Sequence, residues 1–278
     1  MKLATLRLGD ETRAVRIQGE EVIEVPGSHA DVASLIVSGV ALDTDGGVTE
    51  RVHDLRSAQL APPILKPGKV ICVGLNYRTH ILEMGRELPE FPTLFTKVPE
   101  ALIGPKDPIQ VPPESSSIDW EGELVVVVGK QVRRACRDEA EDAIFGYTIM
   151  NDITMRDYQY RTPQWFQGKT WENSTPIGPV IVTADELSPH ASLVTRVDGE
   201  EVQRASIDDL VFDAAALVQY ISTIFTLNPG DLIATGTPGG VGHAHKPARY
   251  LVPGQQVSVA IDGIGELTNQ VVAEDSGR

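Results

Sequence analysis

Acidic residues at a spacing typical of metal ligands are the first candidates for chemistry in this sequence. Glu121 and Glu123 begin the run EGELVVVV, whose β-branched residues predict a buried strand. Side chains two apart on a strand leave the same face, with Cα atoms about 6.5 to 7 Å apart, so the two carboxylates repel each other unless a cation lies between them. Asp152 ends the predicted strand YTIMND and is a candidate third ligand. Three oxygen ligands favour Mg²⁺ or Mn²⁺ over zinc. The alternative is that these acids form a solvated strand edge and bind no metal.

Two other groups of residues could act on a substrate. His80 and Glu83 stand three apart in NYRTHILEMG, a predicted short helix, so they share a face and could activate a water. The alternative is an exposed hydrogen-bonded pair. Lys169 is flanked by Trp165 and Trp171, and an ammonium group in apolar surroundings needs a partner such as an anionic ligand. The alternative is a lysine stem packed on tryptophan with its charge in water.

Composition restricts the class of protein. The 278 residues favour one or two domains, and 24 Lys and Arg against 39 Asp and Glu give a net charge of −15, which argues against nucleic acid as a partner. The aliphatic run LVVVV is far too short to span a bilayer, and the start MKLATLRLGDE lacks the apolar stretch of a signal peptide, so we expect a cytoplasmic protein. Cys72 and Cys136 are expected to be reduced thiols.

The pattern of elements predicts an α+β fold with much antiparallel sheet. Short alternating runs such as KLATLRL predict a small β-rich N-terminal domain over residues 1–65, followed by a larger second unit over residues 66–278. The Asp-Gly pairs at 198–199 and 262–263 each predict a type I′ hairpin. Asn76 is a possible cap of the helix that carries His80, and Asp213 of a later helix.

The glycine-rich loop 235–242 does not predict a nucleotide site. It lacks the Lys-Ser/Thr pair of a phosphate-binding loop and leads into no predicted helix. Its backbone amides could still line a small anion site. His243 and His245 form an HxH pair without a nearby third ligand, which argues against a second metal site there.

Taken in order, the segments from about residue 69 to 274 resemble the fumarylacetoacetate hydrolase family. NYRTHILEMG is similar to the family's opening segment, FTKVPEALIGPKDPI to its lysine segment, EGELVVVVG to its metal strand and GYTIMNDITMRDYQ to the stretch that follows. GKTWENSTPIGP, PGDLIATGTPGGVG and IDGIGELTNQV then come in the family's order. One departure is GKTW where the family commonly has GKSF, which keeps the lysine and a hydroxyl but changes the pocket wall.

The resemblance implies a role for each candidate residue. It implies Glu121, Glu123 and Asp152 as ligands of Mg²⁺ or Mn²⁺, His80 and Glu83 as a water-activating dyad, Lys169 as a charge-stabilising cation, and Arg156, Gln159, Thr237 and Lys97 as substrate contacts. It also implies a catalytic domain built as a mixed β-roll or sandwich, preceded by the small N-terminal domain, and a homodimer.

The resemblance further implies substrates that are 2-oxo or 2,4-dioxo acids. We expect a hydrolase that cleaves a C–C bond of an acylpyruvate through a pyruvate enolate stabilised by the metal. The same enolate forms when oxaloacetate loses CO₂ or when an oxo acid tautomerises, so a decarboxylase and an isomerase or tautomerase remain alternatives. The candidate dyad of His80 and Glu83 favours hydrolysis, because decarboxylation needs no activated water. A catalytically silent binding protein is a further alternative.

Overall fold

The computed structural model describes residues 1–39 and 51–275, which form many short strands and few helices. The strands up to residue 128 are β1 (Lys2–Leu8), β2 (Glu11–Gln18), β3 (Glu21–Glu24), β4 (Val52–Asp54), β5 (Leu60–Ala61), β6 (Val70–Gly74), β7 (Thr93–Lys97), β8 (Leu102–Ile103), β9 (Ile109–Val111), β10 (Ile118–Asp119) and β11 (Gly122–Val128). The later strands are β12 (Ile144–Asn151), β13 (Thr154–Met155), β14 (Thr175–Thr183), β15 (Ser192–Val197), β16 (Glu200–Ser206), β17 (Leu232–Ala234), β18 (Gln256–Ile261) and β19 (Gly265–Ala273). The α-helices are α1 (Val32–Ser38), α2 (Arg78–Glu83), α3 (Arg137–Asp142), α4 (Arg156–Gln159), α5 (Phe166–Lys169) and α6 (Ala214–Ile224), with 3₁₀ turns at Pro99–Ala101, Ile207–Asp209 and Gly242–Ala244.

The strands form two large mixed sheets and one short ladder. The main sheet runs in the order β4-β3-β2-β1-β14-β12-β11-β17-β6-β7, with β5 paired to β1 and β8 to β14. The second sheet runs β16-β15-β18-β19-β9, and β10 pairs with β13. Most pairs are antiparallel, whereas β6 with β17, β8 with β14 and β9 with β19 are parallel. Over the described residues the fold is therefore α+β with mixed sheets, as the sequence predicts, and neither sheet closes into a barrel.

An apolar core joins the two sheets. Leu124 and Ile149 of the main sheet lie in one buried cluster with Leu193 of the second sheet. Strand β11 is buried along its whole length, and its Val126 lies in another cluster with Leu217 of α6. A strand covered on both faces needs apolar residues at every position, which explains the uninterrupted run of valines. The strand that begins at the acidic residues is thus among the best-packed elements of the protein.

The main sheet crosses the predicted domain boundary near residue 65. Strand β1 pairs with β14, placing Lys2 opposite Val182 and Leu3 opposite Ile181. The division into a domain at residues 1–65 and a catalytic domain at residues 66–278 stays a prediction. Residues 40–50 and 276–278 of these two predicted domains lie outside the described residues.

Asn76 does not cap the helix that carries His80, so that prediction was wrong. Helix α2 begins two residues later, with Tyr77 at its cap position and no side-chain cap. Asn76 is buried instead, and its amide nitrogen donates to the carbonyl oxygens of Phe212 at 3.0 Å and Thr235 at 2.8 Å. The amide thereby ties the start of the helix segment to two distant loops, a role that local sequence does not indicate.

The turn predictions were partly right. Asp198 has φ 51° and Gly199 has φ 83°, as a type I′ turn between β15 and β16 requires. The turn between β18 and β19 is a three-residue loop in which Gly263, at φ 84°, is left-handed and Asp262 is not, so type I′ was wrong there. Asp213 caps α6 as predicted, because its carboxylate accepts from the Ala216 N–H at 2.9 Å.

We expect Thr195→Val to increase the free energy of unfolding by about 1 kcal/mol. Thr195 is fully buried in β15 and its hydroxyl has no hydrogen-bond partner. The matched control is Thr5→Val, because the equally buried Thr5 hydroxyl donates to the Pro63 carbonyl oxygen at 2.8 Å and accepts from the Val32 N–H. In the control, we expect the free energy of unfolding, measured with urea, to fall by about 1 to 3 kcal/mol. Equal losses in both variants would contradict the assignment of an unpaired hydroxyl.

Candidate active site

Three carboxylates, which we call the acidic triad, meet at one end of the central strands. Glu121 immediately precedes β11, Glu123 lies within it, and Asp152 immediately follows β12. The strands are antiparallel with Gly122 opposite Asn151, and the Asp152 N–H donates to the Glu121 carbonyl oxygen at 2.8 Å. One oxygen from each carboxylate lies within 4.8 Å of the others. The pairing of two strands therefore gathers the three residues that the sequence suggests as metal ligands.

Cations from three other segments hold the triad. Lys169, at the end of α5, donates to Glu121 Oε2 at 2.6 Å and to Asp152 Oδ2 at 2.7 Å. Lys97, at the end of β7, donates to Asp152 Oδ1 at 2.7 Å. The Arg156 Nη2 atom, at the start of α4, lies 2.7 Å from Glu121 Oε1. All three cations are at most 5% exposed, so each ion pair lies out of water.

Asp119 is a fourth buried acid, to which sequence reasoning assigned no role. Its Oδ2 atom accepts from Arg156 Nε at 2.8 Å, so that the guanidinium group is held between Asp119 and Glu121. Its carboxylate also accepts from the backbone N–H groups of Gly242 at 2.6 Å and His243 at 2.9 Å. The only signal in the sequence is its position two residues before Glu121, which continues the alternation of acids.

The backbone N–H groups of the glycine-rich loop 235–242 donate hydrogen bonds to carboxylates of the protein itself. Its Gly236 N–H donates to Glu123 Oε2 at 2.9 Å, as Gly242 does to Asp119. Gly236 has φ 100°, and a Cβ atom there would lie 2.9 Å from the Val73 carbonyl oxygen. A glycine is therefore required where the loop approaches the triad.

Burial and charge set the protonation of the triad. Burial raises the pKa of Glu123 well above its ordinary value, and the charges of Asp152 and Glu121 raise it further. Burial also acts to raise the pKa of Asp152, but Lys169 and Lys97 lower it below the ordinary value. Burial acts to lower the pKa of Lys169, whereas Asp152 and Glu121 raise it above the ordinary value. Glu123 is therefore the least compensated carboxylate of the triad.

The donor set fits a hard divalent cation. Counting Asp119, the cluster holds four buried carboxylates against three buried cations, which leaves one negative charge over when all are ionised. Glu123 accepts one hydrogen bond, from Gly236, and its other oxygen has no partner among the described residues. Three carboxylate oxygens with room for water or substrate suit Mg²⁺ or Mn²⁺ better than zinc. The triad could thus hold either of these metal ions.

A cavity of about 400 Å³ opens onto the triad, within the size range of small-molecule sites. Glu121 and Glu123 line it, and one wall is aromatic, with the rings of Phe95 and Trp165 meeting edge to face at 5.4 Å between centroids. Residues with predicted roles that line the same cavity are His80, Arg156, Gln159, Lys169 and Thr237. Residues that line it without having been predicted include Arg86, Tyr160 and His243, which lie outside the α-helices and strands.

Gln159 and Thr237 differ in the hydrogen bonds that they have left to offer. Gln159 Oε1 accepts from Arg156 Nη1 at 2.9 Å, which leaves the side-chain NH₂ group as a free donor. Thr237 Oγ1 donates to the Gly122 carbonyl oxygen at 3.0 Å and accepts from Gln203 Nε2 at 2.9 Å. Gln159 can therefore donate to a substrate, whereas the Thr237 hydroxyl is already committed. Their roles as substrate contacts stay predictions.

Lys97 and Glu83 are not among the residues that line this cavity. The Lys97 amine donates to Asp152 and to the Ile153 carbonyl oxygen at 3.1 Å, which places it as a support of the triad. Glu83 is exposed and lines a neighbouring cavity of about 390 Å³, while His80 lines both cavities. No hydrogen bond joins His80 to Glu83, both of which the structure describes. The roles of Lys97 as a substrate contact and of Glu83 in a dyad stay predictions.

His80 is held as a neutral imidazole beside the triad. Burial lowers its pKa below the ordinary value, Glu83 acts in the opposite direction, and the charge of Arg86 lowers it further. A Cβ atom at Gly239 would lie 2.9 Å from His80 Nδ1, so the loop backbone packs closely against the ring. The imidazole is therefore both uncharged near pH 7 and positioned by the glycine-rich loop.

A larger cavity, of about 650 Å³, lies apart from this chemistry. It is lined by residues of the N-terminal strands and by Pro179 and Ile264, and it includes the salt bridge between Arg7 and Asp107. None of the triad lines it. The smaller cavity therefore remains the candidate active site.

Among the described residues, none of the helices has the length and apolar character that crossing a membrane would need.

Comparison with known proteins identifies the family. Residues 69–272 match the family model described as fumarylacetoacetate (FAA) hydrolase C-terminal. The chain belongs to the fumarylacetoacetate hydrolase family. An oxaloacetate tautomerase of Bacillus subtilis (strain 168) is 43% identical over 226 residues, which cover 79% of this chain and 75% of the relative. A mitochondrial oxaloacetate tautomerase of Xenopus laevis is 40% identical over 236 residues, which cover 84% and 73%.

Solved structures of the fumarylacetoacetate hydrolase family agree in fold. A fumarylacetoacetate hydrolase from psychrophilic Exiguobacterium antarcticum has a TM-score of 0.90 at 37% identity, covering 99% of this chain and 100% of that chain. A 2-hydroxyhepta-2,4-diene-1,7-dioate isomerase from Mycobacterium marinum has a TM-score of 0.81 at 34% identity with the same coverage. The predicted family and fold class are thus confirmed. The named activities support an enzyme family but do not confirm the predicted hydrolase, and the predicted cytoplasmic location and homodimer stay predictions.

We expect Mn²⁺ to raise the melting temperature of the wild type and to leave that of Glu123→Gln unchanged, because a ligand selective for the folded state stabilises it. The pKa of Glu123 is raised in the metal-free folded state, so above about pH 4.3, the pKa of an unfolded glutamate, the folded state binds more protons than the unfolded state. The free energy of unfolding therefore falls as pH rises from there to the raised pKa. The neutral glutamine lacks this loss, and the metal-free variant should be at least as stable as the wild type at pH 7. If Mn²⁺ raised the melting temperature of Glu123→Gln as much as that of the wild type, Glu123 would not be a ligand.

Proposed function

We propose that this protein is a divalent-metal-dependent tautomerase of 2-oxo acids, with oxaloacetate as the type of substrate. The observation that carries the proposal is that His80 lines the cavity at the triad and Glu83 does not. His80 lines both the cavity at the triad and the neighbouring one, whereas Glu83 lines only the neighbouring one. A keto–enol interconversion needs a group that moves a proton and needs no activated water, so His80 can serve without Glu83. The names of the Bacillus and Xenopus relatives support the same reaction.

The reaction moves one proton from C3 to the 2-oxo oxygen. The C3–H bond breaks, its electron pair forms the C2–C3 double bond, and an O–H bond forms on the former carbonyl. The neutral imidazole of His80 accepts the proton from C3 and returns it to the oxygen. Between these two transfers negative charge develops on the oxygen, and the buried cations Arg156 and Lys169 stabilise it in surroundings of low dielectric constant.

Other residues bind the substrate and exclude water. The free NH₂ group of Gln159 donates to the substrate carboxylate. The aromatic wall of Phe95 and Trp165 covers the reacting atoms and slows the return of the enol to solvent. A dication held by the acidic triad would supply Lewis-acid polarisation of the 2-oxo group.

Hydrolysis of a C–C bond in a 2,4-dioxo acid is the second candidate function. The similarity to the Exiguobacterium hydrolase favours it, as does the spacing of His80 and Glu83 on one helix. Activation of a water by both residues would require Glu83 to act at the cavity that holds the triad, which it does not line. The two candidate functions therefore differ in whether Glu83 is needed.

We expect His80→Asn to lower kcat for oxaloacetate tautomerisation by about 10² or more, because the proton carrier is lost. The wild-type kcat/KM should fall as pH drops through a pKa below 6.5, where the imidazole becomes charged. This acidic limb should be absent from the residual activity of the variant. The fall in kcat and the pH dependence of kcat/KM are both measured from the loss of enol absorbance between pH 5 and 8. An acidic limb that survives unchanged in His80→Asn would contradict the assigned role.

We expect Glu83→Ala to leave oxaloacetate tautomerisation within about twofold of the wild type, since Glu83 does not line the cavity at the triad. Glu87→Ala, which removes the same charge from an exposed neighbouring position, is the control. The same proteins are assayed for cleavage of an acylpyruvate with Mn²⁺. If the wild type cleaves acylpyruvate and Glu83→Ala does not, the proposal of a tautomerase is wrong and the hydrolase takes its place.

A further inference from the structure

One cation that lines the candidate active site is not used by the acidic cluster. The guanidinium of Arg156 and the amine of Lys169 are bound to carboxylates of the cluster. Arg86 lines the same cavity, its side chain is exposed, and in the described part of the chain no salt bridge joins it to an acidic residue. In a chain of net charge −15, an exposed guanidinium beside a cavity that also holds the triad is available to an anionic ligand.

The backbone fixes where Arg86 stands. Helix α2 ends at Glu83, and Gly85, with φ 66°, turns the chain back. The Arg86 N–H then donates to the Ile81 carbonyl oxygen at 3.2 Å, which closes the turn against the helix. The same helix carries His80, so the turn sets Arg86 and the imidazole on one wall of the cavity. The effect of its charge on the pKa of His80 agrees with this proximity.

The other walls of the cavity offer little to a second anion. Phe95 and Trp165 are apolar, and His243 already shares a hydrogen bond of 2.8 Å between its Nδ1 atom and the Tyr250 hydroxyl. A substrate whose carboxylate and 2-oxo group lie at the triad would extend its remaining carbons toward the cavity wall. A guanidinium group can bind a carboxylate there through two parallel hydrogen bonds.

We propose that Arg86 determines specificity by binding the second carboxylate of a dicarboxylic 2-oxo acid. The inference rests on the proposed function and assigns to Arg86 the preference for four-carbon dicarboxylates over monocarboxylic 2-oxo acids. Arg86 is a binding residue in this role and carries no proton. Its removal should weaken the binding of a dicarboxylate and leave that of the matching monocarboxylate unchanged.

Malate and lactate are suitable probes, because they are 2-hydroxy acids that differ by one carboxylate on C3 and cannot tautomerise as 2-oxo acids do. Their dissociation constants are measured by calorimetry at a fixed millimolar concentration of Mn²⁺. In Arg86→Met we expect malate to bind about tenfold or more weakly, with lactate within about twofold of the wild type. Arg78→Met is the matched control, since Arg78 is exposed on α2, the helix just before Arg86, and lines neither cavity, and the substitution removes the same charge.

The control is expected to bind both probes as the wild type does. Equal weakening of malate and lactate in Arg86→Met, no weakening of either, or the same selective loss in Arg78→Met would each overturn the inference. A wild type that binds malate no more tightly than lactate would overturn it as well. Failure of the wild type to tautomerise oxaloacetate would instead reject the proposed function, and a selective loss of malate binding in Arg86→Met would still stand.

Discussion

The ammonium group of Lys169, placed between Glu121 and Asp152, is the interaction on which the candidate site depends. It lies 2.6 Å from one carboxylate and 2.7 Å from the other, and the lysine is 1% exposed. Removing one partner of a buried ion pair typically costs about 3 to 5 kcal/mol, because the remaining charge is left without water or counter-ion. Carboxylates this close could not share a buried position without such a cation.

The rest of the fold delivers these charges from separate parts of the chain. Two strand ends bring the triad together, whereas Lys97 comes from β7, Arg156 from α4 and Lys169 from α5. The valine-rich strand β11 is buried along its length, so the carboxylates stand on a rigid element, while His80 and the aromatic wall come from shorter ones. Rigid support of the charged centre with variable surroundings explains how relatives with different named activities share one architecture.

Sequence alone predicted the parts that local pattern controls. The alternation of Glu121 and Glu123, the buried strand and the position of Asp152 after the next strand indicated the triad, and the order of segments indicated the family. It could not predict Asn76, whose buried amide joins two distant loops, or the partners of Lys97, because both depend on contacts across the fold. The preference for hydrolysis rested on the spacing of His80 and Glu83 in one helix. Spacing does not reveal that His80 lines the cavity at the triad and that Glu83 does not.

The charge balance also explains why a metal ion suits this site. With every group ionised the buried cluster carries one excess negative charge, and burial raises the pKa of Glu123, so the metal-free site is neutralised most readily by a proton there. A dication would replace that proton and turn the excess negative charge into a positive one. An anionic 2-oxo acid would then be attracted into a protein whose overall charge repels it.

The most direct measurement of this central claim is a crystal soaked in millimolar manganese and recorded at the manganese absorption edge. The anomalous difference map should contain one strong peak within about 2.4 Å of an oxygen from each of Glu121, Glu123 and Asp152. A map with no peak at the triad, or with the three carboxylates turned away from a peak elsewhere, would contradict it.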